Sequence, residues 1–207
     1  MMFSKQTYLS RRARLREKVG GGILLFLGNK QVGMNYEGNE YEFCQDSSFL
    51  YFWVLDFAGL SAVIDADSGE EIIFGDELTI DDIVWTGTMP SLADNAKLVG
   101  VDKTLPVSAL KEYLRKAMHQ GRHIRFLPPY RGDHNLRLMD LLGILPHVQP
   151  IHADEVMIKA IVDMRIHKTA EEIAVIEDAV DVSTMMHLEA YRRVRPGVHE
   201  SEIASSV

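Results

Sequence analysis

Eight histidines, His119, His123, His134, His147, His152, His167, His187 and His199, are the first candidates for metal or acid–base chemistry in this chain. They are scattered, with neither a His-Glu-x-x-His nor a His-x-His pair, so each reads as a surface or hydrogen-bonded core histidine. Asp81-Asp82 and Glu70-Glu71 are adjacent pairs whose side chains point apart in extended backbone, a poor geometry for an acid/base couple. The single cysteine, Cys44, excludes an internal disulfide and a thiolate zinc cluster. Beside an aromatic run it reads as a buried structural thiol. Gly20-Gly21-Gly22 precedes an apolar stretch, whereas a phosphate-cradling loop follows its strand and opens a helix. Trp85, in Ile83-Val84-Trp85-Thr86-Gly87, reads equally as a core ring or as an exposed loop contact.

A chain of 207 residues, 46% hydrophobic and 25% charged, can build a sizeable core. A formal net charge of -8 argues against nucleic acid or an anionic membrane as partner. The basic cluster Arg11, Arg12, Arg14, Arg16 and Lys18 reads as the solvated face of a first helix. With no signal-peptide core and no stretch of transmembrane length, a cytoplasmic location is expected.

The patterning predicts a helix over 6–18, a doubly covered strand over 23–27 and a loop over 29–38. High β-propensity makes 49–53 (Phe-Leu-Tyr-Phe-Trp) a buried strand. A hairpin over 61–74 turns at Asp67-Ser68-Gly69. Further strands are expected at 97–101 and 123–126, with helices over 107–118 and 135–142. The fold class is α/β, a mixed sheet of about five strands with helices on both faces. After about residue 150 the pattern is almost all helix: Thr169 and Glu172 form a capping box opening a helix to about Val194. Its apolar face covers roughly half the circumference, more than a surface helix needs.

Three segments share a resemblance. Tyr41-Glu42-Phe43-Cys44-Gln45-Asp46-Ser47-Ser48-Phe49-Leu50-Tyr51-Phe52-Trp53-Val54 resembles the Tyr-x-x-Arg-Gln-(Asp/Asn)-Ser-x-Phe-x-Tyr-Phe-x-Gly segment of Xaa-Pro aminopeptidases, in the creatinase/prolidase superfamily. It departs from that pattern at Cys44, where the family has Arg, and at Val54, where it has Gly. The run from Arg165 to Ile173 resembles the family's Arg-x-x-Lys-(Ser/Thr)-x-x-Glu-(Ile/Leu), and Arg195-Pro196-Gly197-x-x-Glu200 its Arg-Pro-Gly-x-x-Glu.

The resemblance implies a creatinase-type, ribonuclease H-like amino-terminal domain over 1–158. Residues 159–207 would be the first helices of a truncated pita-bread metallopeptidase domain. It implies a parent enzyme that removes an amino-terminal residue preceding proline, using two divalent metal ions, manganese by the same resemblance, with ligands beyond Val207. No catalytic or metal residue is expected in this chain, which alone would be inactive. Trp85 falls where relatives carry a Trp-x-Gly turn, implying a substrate contact supplied in trans within a homo-oligomer. The implied partner of the full-length protein is a proline-containing peptide. The alternatives are a prolidase, a creatinase, or a non-enzymatic binding module of the same fold.

Overall fold

The computed structural model describes residues 3–36 and 38–207. It divides into two compact units, one ending at Met164 and the other running from Arg165 to Val207.

Helix α1 (Lys5–Val19) starts where the Ser4 side chain accepts a hydrogen bond from the Thr7 amide and stops at Gly20, which has φ 81°. Strand β1 (Ile23–Leu27) follows, then a hairpin of β2 (Gly33–Tyr36) and β3 (Asn39–Glu40) inside the segment expected to be a loop. Helix α2 (Ser47–Trp53) precedes β4 (Ser61–Asp65) and β5 (Glu71–Phe74), which form the expected antiparallel hairpin. After α3 (Ile80–Thr86) and α4 (Leu92–Leu98) come β6 (Lys103–Leu105), α5 (Ala109–His119), β7 (Ile124–Phe126) and α6 (Gly132–Leu142). A 3-10 turn at Pro146–Val148 leads through α7 (Gln149–His152) to α8 (Glu155–Ile166).

The sheet is mixed, in the order β6-β5-β4-β1-β7. Strand β4 is antiparallel to β1 and β5, while β1 is parallel to β7 and β5 to β6. Four strands therefore point the same way, and their carboxyl ends share one edge. Both faces are covered, as the apolar run of β1 predicts. Leu24 and Phe26 enter one core with Ala62, Ile64 and Ile73, under α1, α2, α4 and α8. Ile23 and Leu25 enter the other with Val63, Ile72 and Phe74, under α5 and α6.

Two expected strands are corrected. Residues 49–53 form helix, because Asp46 caps them: its carboxylate accepts from the amides of Ser48 (2.9 Å) and Phe49 (2.8 Å). Helical spacing then buries Phe49, Phe52 and Trp53 together while Leu50 and Tyr51 stay half-exposed. Residues 97–101 are the end of α4 and a turn at Gly100 (φ 82°), and the strand comes later as β6. Ser91 nucleates α4 by accepting from the Asp94 amide.

In the second unit, α9 (Ala170–Arg193) opens on the expected capping box, with the Thr169 hydroxyl accepting from the Glu172 amide and the Glu172 carboxylate from that of Thr169. No residue of α9 is buried, and Ile173, Ile176, Val180, Val182 and Met186 are exposed. Helix α10 (Glu200–Ala204) follows. Among the described residues, no helix is long and apolar enough to cross a membrane.

Candidate functional site

The polar residues ahead of α2 knit the carboxyl end of β1 to its surroundings. Gln45 is buried, and its carbonyl oxygen accepts from the amides of Asn29 (2.6 Å) and Asp46 (3.0 Å). Its amide nitrogen donates to the carbonyls of Leu55 (3.2 Å) and Phe57 (2.9 Å). A buried glutamine using both ends in this way fixes the loop without leaving an orphan. Gln45 and Asp46 are thus scaffold, not chemistry. Cys44 is exposed, which overturns its reading as a buried thiol. Its carbonyl accepts from the Asn29 side chain (2.7 Å), and its thiol lies 3.8 Å from the Gln45 carbonyl oxygen.

The basic cluster of α1 also needs correction, since Arg11 and Arg12 are buried. Arg12 donates to the Glu71 carboxylate (2.7 Å) and to the carbonyls of Phe52 (2.9 Å) and Val99 (2.8 Å). Those carbonyls lie at the ends of α2 and α4, so one guanidinium ties two helices to β5. Burial pulls its pKa down against the opposing pull of Glu71. Arg11 lies 4.0 Å from the Tyr51 ring centroid and donates to the Tyr51 carbonyl (2.8 Å).

The histidines do not converge. His134 is buried, with Nε2 3.2 Å from the Gly28 carbonyl oxygen, and burial lowers its pKa; the other seven are exposed. Among the described residues, no group of three or more His, Cys, Asp or Glu could hold a metal ion. The residues present do not fit a dinuclear centre, and no chemical step is assigned to them.

What the fold does present is an arm. Between β5 and α4 the chain leaves the sheet's carboxyl edge and returns to it. Its ends are held by two carboxylates: Asp76 accepts from the Val107 amide (3.0 Å), and Glu77 from the Leu92 amide with both oxygens (3.0 and 3.1 Å). Within the arm, Thr79 and Asp82 form a capping box and Gly87 closes α3 at φ 80°. Those hydrogen bonds hold the fully exposed Asp82 carboxyl below its usual pKa.

Every residue of α3 is exposed. Ile80 (81%), Val84 (75%) and Trp85 (88%) stand in solvent, and Met89 follows them. The sequence left Trp85 open between core and contact, and the structure puts its ring outside the core. Asp81-Asp82 contributes a cap rather than a dyad. The signal for this arrangement was the Thr79-x-x-Asp82 box, which marks a helix start before any apolar stripe wide enough to bury it.

Comparison with known proteins agrees with this architecture. Residues 8–125 match the family described as Aminopeptidase P, N-terminal domain. The chain is 23% identical over 216 residues to the Xaa-Pro aminopeptidase of Escherichia coli (strain K12), covering 99% of this chain and 48% of that protein. The structure of Pseudomonas aeruginosa aminopeptidase PepP superimposes with a TM-score of 0.82 at 22% identity, covering 100% of this chain and 48% of the other. Zinc-substituted E. coli aminopeptidase P in complex with product gives 0.77 at 22% identity, covering 99% and 48%. The chain therefore spans about half the length of these relatives. With its mixed five-stranded sheet and a family match over more than half its residues, it belongs to the aminopeptidase P amino-terminal domain family.

Proposed function

We propose that this chain is the amino-terminal half of a cytoplasmic, manganese-dependent Xaa-Pro aminopeptidase, which removes the amino-terminal residue preceding proline. Its own work is subunit assembly and shaping the mouth of the active site. Proline fixes φ and lacks a backbone N–H, so sites that bind an extended strand handle it poorly and a dedicated site is needed. The observation that carries this reading is the pinned arm, with Trp85 88% exposed at its tip. A large ring held on a capped helix but touching no core is suited to entering another subunit's pocket. It covers much apolar area with only two torsions to immobilise.

The test is Trp85→Ala in the full-length protein. Turnover of an Xaa-Pro peptide should fall, with the loss concentrated in kcat/KM, while assembly persists. Unchanged kinetics would remove Trp85 from the site. The 207-residue chain itself, given manganese and the same peptide, should release no product above a metal-only control. Product release from it would overturn the assignment of chemistry to the other half.

A further inference from the structure

Among the described residues of the first unit, four Phe, Tyr or Trp side chains are exposed: Tyr36, Tyr41, Trp85 and Tyr130. All four lie on segments that leave the sheet where its four like-directed strands end. Tyr36 and Tyr41 follow β1, Trp85 follows β5, and Tyr130 follows β7. In open α/β sheets that edge is where ligands bind.

The hairpin after β1 carries most of this surface. Val32, just before β2, and Met34 and Tyr36 within it supply the apolar side chains, on a strand whose register with β3 is irregular between Gly33 and Tyr36. They are 42%, 51% and 66% exposed. Tyr41, whose amide bonds the Val32 carbonyl (3.0 Å), stands opposite the base of that row and is 57% exposed. Tyr130 adjoins the same base: its hydroxyl lies 3.5 Å from the Asn29 amide nitrogen, and its ring meets His134 at 68° and 6.1 Å. Next to it, Arg131 donates to the Lys30 carbonyl (3.4 Å). Held at its hydroxyl and one edge, the Tyr130 ring is still 68% exposed. It is positioned, and most of it is open to solvent.

We propose that this hairpin face, together with Tyr130, is a binding surface for a proline-rich peptide in polyproline II form. The peptide class rests on the proposed function; the surface does not. Pyrrolidine rings pack on exposed aromatic faces, and a prolyl backbone offers carbonyl acceptors but no N–H donors. A matching surface needs rings and donors, and here the hydroxyls of Tyr36 and Tyr41 and the Lys30 ammonium supply the donors, all on exposed residues. From Val32 to Tyr36 the strand runs about 13 Å, the length of about four polyproline residues. Stacked nucleic-acid bases would also suit the rings, but Glu40 and Glu42 flank them, and like charge repels a phosphate backbone. The edge would thus grip the distal part of a substrate whose amino terminus lies elsewhere.

The test is an amide chemical-shift titration of the 207-residue chain with an oligoproline peptide of about eight residues, up to millimolar concentration. Shifts should concentrate at residues 30–41 and 130. Tyr36→Ala and Tyr130→Ala should each weaken binding about tenfold, the loss expected for an aromatic anchor. Tyr130→Phe, which keeps the ring, should retain binding and guards against a local collapse in the alanine variant. Absent shifts, binding that ignores all these variants, or equal binding of a glycine-substituted peptide would overturn the proposal. So would equal binding of a short single-stranded oligonucleotide, or a dimer seen by sedimentation that Tyr36→Ala dissolves. The titration needs neither turnover nor metal, so its failure is distinct from failure of the Trp85 kinetics.

Discussion

Val54 is the one described non-glycine residue with positive φ (52°), at the left-handed cap of α2 where its amide bonds the Leu50 carbonyl. The family pattern has glycine there, and the reason is now physical: such a cap suits a residue without Cβ. Holding a β-branched residue in that region costs about 1–3 kcal/mol. Against that, Val54 packs on the first core as a partly buried side chain, a contact worth about 1 kcal/mol, and glycine adds about 0.5–1 kcal/mol of unfolded-state entropy. The terms nearly cancel, so Val54→Gly should shift stability by no more than about 1 kcal/mol either way in a urea melt. A clear loss would mean that packing, not strain, governs the site. At Asp65 the balance is electrostatic. Arg122 grips its carboxylate in a paired contact, with further help from Ser68, and the Asp65 pKa falls well below its usual range. A depressed folded-state pKa adds stability that is complete above the unfolded value of 3.8 and is lost as pH falls below it. Urea midpoints should therefore drop steeply below about pH 4, and Arg122→Gln should lower the neutral-pH midpoint and flatten that drop. A drop of the same steepness in the variant would assign it to other carboxylates.

At the scale of elements, α2 and α3 teach opposite lessons. Five large apolar residues in a row satisfy strand and helix patterns alike, so 49–53 could be read only from the cap before it. The deciding group, Asp46, was part of the quoted pattern, but β-propensity outweighed it in the reading. Strand β1, the β4–β5 hairpin and the Thr169 box were legible because each carries a local signal that tertiary contacts reinforce. Arg12 was misread for the reverse reason: it shares a helical face with Tyr8, Leu15 and Val19, all buried. That apolar company was the available signal. For α3, burial and exposure of the Trp85 ring differ measurably in energy. A core tryptophan cut to alanine costs about 3–5 kcal/mol, whereas a surface change stays within about 0.5 kcal/mol. Trp85→Ala in this chain should melt like the parent; a large loss would place the ring in a core after all.

For the whole molecule, burial is uneven. Ile23, Leu24 and Leu25 are each at most 1% exposed, while Ile173, Ile176, Val180, Val182, Met185 and Met186 of α9 stand 44% exposed or more. Exchange protection follows burial and hydrogen-bond density, so amides of α9 should exchange much faster than those of β1 in a monomeric sample. Equal protection would show that α9 is stabilised in a way its exposed face does not reveal. That wide apolar stripe was legible from the sequence, because period alone exposes it. The pattern names no partner for it, since period alone carries no record of what an apolar face meets.

The two carboxylates at the base of the arm have a further consequence. Since Asp76 and Glu77 tie the chain back to the scaffold on both sides and Ser91 caps α4, residues 78–90 behave as a cassette whose contents the sheet does not sense. Selection can rewrite Ile80, Val84, Trp85 and Met89 without risking the fold, and a designer can transplant the whole stretch. A relative's arm grafted between Glu77 and Ser91 should carry its donor's preference with it and leave the host's melting temperature where it was.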